Sequence, residues 1–411
     1  MPIITIFSDG FCHEAPIIQK VIERTGYKLV NEDDIVAAAS RLAAMEPSKI
    51  KRAFSPRASV FNKFTLEKER SLAYIKLALA AAIDTDNALI PGVAGPLIPA
   101  TVSHNLRVCL IAPRKYRTAV AADLRGISQK DAARLVQKRE EDCSFWIDSL
   151  FSNGDPWDPI LYDIVIPVDK MSTQDAAALI ADNAAKDIIQ PTPESIQALE
   201  DFRLAAATEA ALVQQGHTVA VSAKNGAVTL TINKHVLRLN RLQEELKSIA
   251  EPIDGVKSVE TKTGRGFHKA DIYRKHDFEM PSKVLLVDDE REFVKTLSER
   301  LMMRDMGSAV AYDGESALKL IKEDEPEVII VDLKMPGING FDVLRQVKES
   351  HPEIEVIILT GHGNEEDRRL CLELGAFAYL QKPLEINLIS DTIQQANEKI
   401  RRKEERKYWG I

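Results

Sequence analysis

From Val284 onward the chain alternates short, nearly continuous runs of branched apolar residues with amphipathic stretches: Val284-Leu-Leu-Val287, Ala309-Val-Ala311, Val328-Ile-Ile-Val331, Val356-Ile-Ile-Leu359 and Ala376-Phe-Ala-Tyr-Leu380. A strand that is apolar on both faces must be covered on both faces, so such runs separated by helical segments predict a parallel sheet between helices. The pattern is that of a five-stranded α/β unit. Polar residues follow four of the runs: Asp288 and Asp289 the first, Asp332 the third, Thr360 the fourth and Lys382 the fifth. The carboxyl ends of parallel strands open on one side of a sheet, where ligands bind, so these side chains are expected to converge.

Three clustered carboxylates repel one another unless a divalent cation joins them. Hard oxygen donors with few protein ligands suit Mg²⁺, which keeps waters and takes a phosphoryl oxygen readily. With Lys382 compensating phosphoryl oxygens and Thr360 donating a hydrogen bond, a carboxylate beside the metal can attack phosphorus in line and become an aspartyl phosphate. Asp332 is best placed for this, because the turn Met335-Pro-Gly-Ile-Asn-Gly340 starts the next helix while leaving the carboxylate exposed to the pocket.

The motifs Val287-Asp-Asp-Glu290, Val331-Asp-Leu-Lys-Met-Pro-Gly337, Leu359-Thr-Gly-His362 and Tyr379-Leu-Gln-Lys-Pro383 closely resemble, in order and position, the receiver domain of two-component response regulators. The resemblance implies a flavodoxin-like (βα)5 fold with strand order 2-1-3-4-5. It implies that Asp289, Asp332 and the backbone carbonyl of Lys334 ligate Mg²⁺, with Asp288 holding the metal through water. It also implies that Asp332 is the phosphoacceptor, that Thr360 and Lys382 contact the phosphate, and that Tyr379 is the aromatic whose rotation reports phosphorylation. Lys334 and His362, two residues beyond the aspartate and the threonine, are expected to flank the acyl phosphate and tune its hydrolysis. The implied donor is a sensor histidine kinase or phosphotransfer protein.

At 411 residues the chain calls for two to four domains. Ile3-Ile-Thr-Ile-Phe7 predicts a strand and Ala15 to Arg24 a helix, the place where a nucleotide kinase carries its phosphate loop. Such a loop needs glycines for close backbone approach and a lysine for the terminal phosphates. Ser8-Asp-Gly-Phe-Cys-His-Glu14 has one glycine, no lysine and two acids. Residues 1–190 nevertheless resemble the cytidylate kinase-like family through Leu106-Arg-Val-Cys-Leu-Ile-Ala-Pro113, Arg117, the lid-like Ile127-Ser-Gln-Lys-Asp-Ala-Ala-Arg-Leu-Val136 and Asp158-Pro-Ile-Leu-Tyr-Asp-Ile-Val-Ile166. The family's basic lid is here Glu140-Glu-Asp-Cys-Ser144, and Pro91-Gly-Val-Ala-Gly95 lacks the expected arginine. Cationic stabilisation of a transferring phosphoryl group is worth about 10³–10⁵ in rate. The expectation is a P-loop-type α/β scaffold with degenerate catalytic machinery and no bound cofactor; the alternative is an active nucleoside monophosphate kinase regulated by the receiver.

Residues 194–263 read as a helix, two strands meeting at Lys224-Asn225-Gly226, a helix through Leu237–Ala250 and a last strand after Asp254-Gly255, a small αββαβ domain. Asn225-Gly-Ala-Val-Thr-Leu230 and Ile253-Asp-Gly-Val-Lys-Ser-Val259 resemble the BON domain, here expected to act as an adaptor or self-association surface. His217, His235 and His268 lack metal spacing and are expected to be exposed or capping. Residues 264–281 read as a linker and 282–411 as the receiver.

The receiver segment holds 19 Lys and Arg against 26 Asp and Glu, so most of the chain's net charge of −8 lies there. That balance, without a helix-turn-helix, argues against a nucleic-acid partner. The longest uncharged run, 87–106, is interrupted by Pro91, Pro96 and Pro99, and no basic-plus-apolar leader follows Met1; no membrane span and a cytoplasmic location are expected. Cys12, Cys109, Cys143 and Cys371 show no pairing pattern and are expected as buried thiols. The expected output is contact with a downstream protein partner or self-association.

Overall fold

The computed structural model describes residues 2–409 except 57–58, 84–86, 152–154, 237, 266, 268–282, 305, 362 and 384, and without the side chains of 63, 64 and 404–409. The chain divides into two compact units, Met1–Ala58 with Glu67–Arg274, and Ser59–Leu66 with Lys275–Ile411.

The first unit is built on a parallel sheet of β1 (Ile3–Ser8), β2 (Lys28–Leu29), β3 (Ala88–Pro91), β4 (Asn105–Ile111) and β5 (Ile164–Pro167), in the order β2-β3-β1-β4-β5. The alternation in β1 explains its central place: Ile3 and Phe7 enter one core and Ile4 and Ile6 the other. Each such fully buried side chain contributes about 1.5–3 kcal/mol. One face is covered by helices that include Glu67–Ala82 and Gln129–Phe151, where Trp146 is fully buried and donates its indole N–H to the Val93 carbonyl at 2.8 Å. The other face is covered by Glu14–Thr25 and Thr173–Ala184.

The αββαβ segment belongs to this same unit. Its first helix, Pro193–Gln214, opens on the Pro191-Thr-Pro193 break. Thr192 accepts from the Ser195 N–H and Pro193 occupies the first turn, where its missing N–H costs nothing. The helix has two employers: Phe202, Ala210 and Val213 enter the core of the parallel sheet, while Leu204 and Leu212 enter the core under the small sheet. That sheet pairs β6 (Ala220–Lys224) antiparallel to β7 (Ala227–Ile232) and β7 parallel to β8 (Ser258–Thr263). Asn225 and Gly226, both at positive φ (52° and 86°), form the two-residue turn that the Asn-Gly pair predicts. Contrary to expectation, His217 is fully buried, with Nε2 3.5 Å from Glu245 Oε1. It follows the helix end Gln215-Gly216 and turns back into the core there. His235 is exposed, and His268 and most of the expected linker lie outside the described residues.

The second unit carries β9 (Val284–Val287), β10 (Ser308–Ala311), β11 (Val328–Val331), β12 (Glu355–Thr360) and β13 (Ala378–Gln381), all parallel, in the order β10-β9-β11-β12-β13. This is the flavodoxin-like order. Leu285, Val287, Ile329 and Val331 face one core and Val284, Leu286, Val328 and Ile330 the other. All four cysteines are buried and none is in a disulfide. Among the described residues no helix is long and apolar enough to cross a membrane.

Candidate functional site

In the second unit the pairing sets Val287 beside Val331 and Val331 beside Ile358, so the residues that follow emerge along one edge. Asp288, Asp289 and Asp332 each bring a carboxylate oxygen within 4.8 Å of the others; the first and third are buried and the second is exposed. Two carboxylates about 4 Å apart repel by about 4 kcal/mol at an effective dielectric near 20, so the cluster needs cations.

Lys382 supplies one. Its Nζ lies 2.6 Å from Asp288 Oδ2 and 3.1 Å from Glu290 Oε1, and 4.2 Å from the centre of the Phe293 ring. Asp288 Oδ1 accepts the Glu290 N–H at 2.9 Å. Burial pushes the Asp288 carboxyl above its ordinary value, against the opposing pull of Lys382 and the Glu290 N–H. Burial also pulls Lys382 down, but its bonds to Asp288 and Glu290 outweigh this and hold the ammonium above its ordinary value. Both oxygens of Asp288 are thus occupied, whereas Asp332 Oδ1 is buried without a hydrogen-bond partner. Hard oxygen donors around one unsatisfied buried oxygen fit a small divalent cation, which Asp288, Asp289 and Asp332 could hold.

Two glycines shape the rim. A Cβ on Gly340 would fall 2.2 Å from the Asp332 carbonyl oxygen, so only glycine lets the helix Gly340–Ser350 begin against the aspartate's own backbone. A Cβ on Gly363 would fall 1.6 Å from the Tyr379 hydroxyl, an oxygen that is itself buried and unpartnered. Thr360, fully buried, closes β12; Lys334 extends an exposed side chain; His362 lies outside the described residues. Sequence reasoning left Glu290 and Phe293 unassigned. Both lie within five residues of Asp288, on the loop and first helical turn over which the Lys382 ammonium rests.

In the first unit the corresponding strand ends hold a different arrangement. Arg117, buried, places Nε 2.9 Å from Asp9 Oδ2 and Nη2 2.5 Å from Glu140 Oε1, while Arg114 Nη2 lies 2.6 Å from Glu140 Oε2. Burial pushes the Asp9 carboxyl up to about 6, with Arg117 pulling it down and Glu140 pushing it up. The Cys12 N–H, at the entrance to the helix Glu14–Thr25, donates to Glu14 Oε2 at 2.8 Å, so a protein carboxylate takes a donor that a phosphate would use. Glu14, Glu32, Asp33 and Asp34 line the adjoining cleft of about 640 Å³ together with Lys51, Arg125 and Arg139.

Residues 284–394 match the response regulator receiver domain family. This stretch is a receiver domain. Over 102 residues the chain is 46% identical to the transcriptional regulatory protein CpxR of Klebsiella pneumoniae and to that of Escherichia coli K12, covering 25% of this chain and 43% of each of those proteins. It is 40% identical over 107 residues to the probable transcriptional regulator ycf27 of Guillardia theta, covering 26% and 42% respectively. The chain spans less than half the length of the curated relatives it matches. Among solved structures, a response regulator receiver domain protein from Clostridium thermocellum is 35% identical, with 30% of this chain and 96% of that chain covered and a TM-score of 0.28. The receiver domain of NtrX from Brucella abortus is 28% identical, with 28% and 98% covered and a TM-score of 0.27. Residues 3–170 match the cytidylate kinase-like family. The chain therefore joins a receiver to a kinase-like α/β domain whose arginines at the strand ends are held by its own carboxylates.

Proposed function

We propose that the receiver makes this protein a phosphorylation-controlled signalling protein of the cytoplasm, accepting a phosphoryl group on Asp332 from a sensor histidine kinase or phosphotransfer protein. The observation that carries the reading is the buried, unpartnered Oδ1 of Asp332 within a carboxylate triad, one neighbour of which already holds Lys382. An Asp332 oxygen attacks phosphorus, the bond from phosphorus to the donor imidazole nitrogen breaks, and that nitrogen leaves with the electron pair and takes a proton from water. Asp289, Asp332 and the Lys334 carbonyl, with Asp288 through water, would hold Mg²⁺, whose charge offsets that of the phosphoryl oxygens. Lys382 moves from Asp288 to a phosphoryl oxygen, Thr360 donates its hydroxyl proton to another, and Tyr379 turns with Thr360. Adding close to two negative charges biases this loop network between two arrangements, and the altered surface is read by a downstream protein partner or a second copy of the chain.

The experiment is incubation of the full chain with acetyl phosphate and Mg²⁺, followed by intact-mass analysis. A gain of one phosphoryl unit by the wild type and none by Asp332→Asn is expected; no gain by the wild type refutes the reading.

The kinase-like domain serves as a non-catalytic scaffold in this reading, because Asp9, Glu14 and Glu140 occupy the donors that a phosphate requires. The family match over residues 3–170 favours one alternative, a receiver-regulated nucleoside monophosphate kinase. Titration with ATP and CMP separates the two, since micromolar affinity with turnover would establish the enzyme.

A further inference from the structure

We propose that the kinase-like domain binds a small, uncharged, apolar molecule in a cavity set apart from the cleft at its strand ends. The cavity holds about 300 Å³, lies on the opposite face of β1 from that cleft and shares no lining residue with it. Thr5 and Phe7 of β1 form its floor, whereas Ile6 and Ser8 point to the cleft. Ile147 and Phe151 make one wall, Ile160 and Leu161 another. Thr5 pairs with Arg107 in the middle of the sheet, so the space sits alongside the strands and not at their carboxyl ends.

The chemistry of the occupant follows from what the lining leaves unsatisfied. The Thr5 hydroxyl donates to Asn105 Oδ1 at 3.2 Å. Arg107 donates through Nε and Nη2 to Asp163 at 3.2 and 2.8 Å, and the Tyr162 hydroxyl donates to the Pro156 carbonyl at 2.6 Å. The lining's cation is thus neutralised by its own carboxylate, and a charged ligand would lose hydration without gaining a counter-ion. A volume of this size meets the lower bound for ligand pockets, and about half of it is enough for a benzene ring between apolar walls. Two fused or linked rings, or a short branched chain, match it. Phe151 and Ile160 line the cavity yet are 44% and 78% exposed, which marks an apolar rim through which such a molecule enters.

The test is fluorescence titration of the full chain with N-phenyl-1-naphthylamine, an uncharged two-part aromatic probe, beside its sulfonated relative 1-anilinonaphthalene-8-sulfonate. Two rim variants at exposed positions, Ala100→Trp to narrow the entrance and Ile160→Glu to charge it, leave the interior untouched. Saturable binding of one neutral probe per chain is expected, weakened about tenfold by either variant at unchanged melting temperature, with the sulfonate binding about tenfold more weakly. Absence of saturable binding, equal binding by wild type and both variants, or equal binding of the two probes overturns the proposal.

Discussion

Replacing Asp9 by Asn removes a titrating group with little change of shape. Asp9 is 5% exposed, and burial outweighs the ion pair to Arg117, so its carboxyl titrates near 6 when folded. An unfolded aspartate titrates at about 3.9, a difference of about two pK units, or about 3 kcal/mol at 1.36 kcal/mol per unit. The folded pKa is the raised one, so between about pH 4 and 6 the native state binds the extra proton and stability falls as pH rises through that window. About 1.4 kcal/mol of the loss should fall between pH 5 and 7.5 and be missing from Asp9→Asn. Urea unfolding of both proteins across this range measures it. Tryptophan emission suits the purpose, since Trp146 and Trp157 lie in the first unit. The wild-type stability minus that of Asp9→Asn should shrink by that amount as pH rises. A difference that stays flat with pH would refute the claim that Asp9 is a desolvated carboxylate and not a fully compensated ion pair.

Gly363→Ala places a methyl on the Tyr379 hydroxyl, so the ring must move out; a cost of about 1–3 kcal/mol is expected, with an altered Tyr379 ring resonance in the NMR spectrum. Glu355 is buried and accepts from Lys399 and Lys403 at 2.8 and 3.2 Å with Lys348 at 3.6 Å; despite the upward push of burial, these lysines hold its carboxyl below the ordinary value. Glu355→Ala leaves Lys348, the least exposed of the three, uncompensated and should lower receiver stability by about 3 kcal/mol in denaturant titration. Chelation of divalent ions with EDTA should abolish phosphoryl uptake from acetyl phosphate, and added Mg²⁺ should restore it; uptake unaffected by EDTA would contradict the ligand assignment.

The receiver was legible because its strands are buried on both faces. Runs such as Val328-Ile-Ile-Val331 leave no other environment, and the polar residues that follow four of the five runs then have one place to go. What periodicity could not disclose is partnership between distant positions. Nothing local to Arg117 signals that Asp9 and Glu140, 108 and 23 residues away, hold its guanidinium. Nor does anything local to Gly363 signal that the Tyr379 hydroxyl, sixteen residues on, occupies the room a side chain would take. His217 follows a Gln-Gly helix end, a context that favours the surface, and its burial depends on a helix twenty-odd residues later. Local sequence specifies elements well, whereas such long-range pairs are decided by the topology that brings the elements together.

The double allegiance of Pro193–Gln214 bears on how this protein can be dissected. Phe202, Ala210 and Val213 wall the parallel sheet, Lys76 meets Glu209 at 2.8 Å, and His104 meets Ser195 at 2.8 Å. A fragment ending near residue 190 would lay bare an oily flank and aggregate, and one starting at 194 would carry the same flank facing water. Any shorter expression piece should therefore keep residues 193–214 joined both to the parallel sheet and to the small sheet.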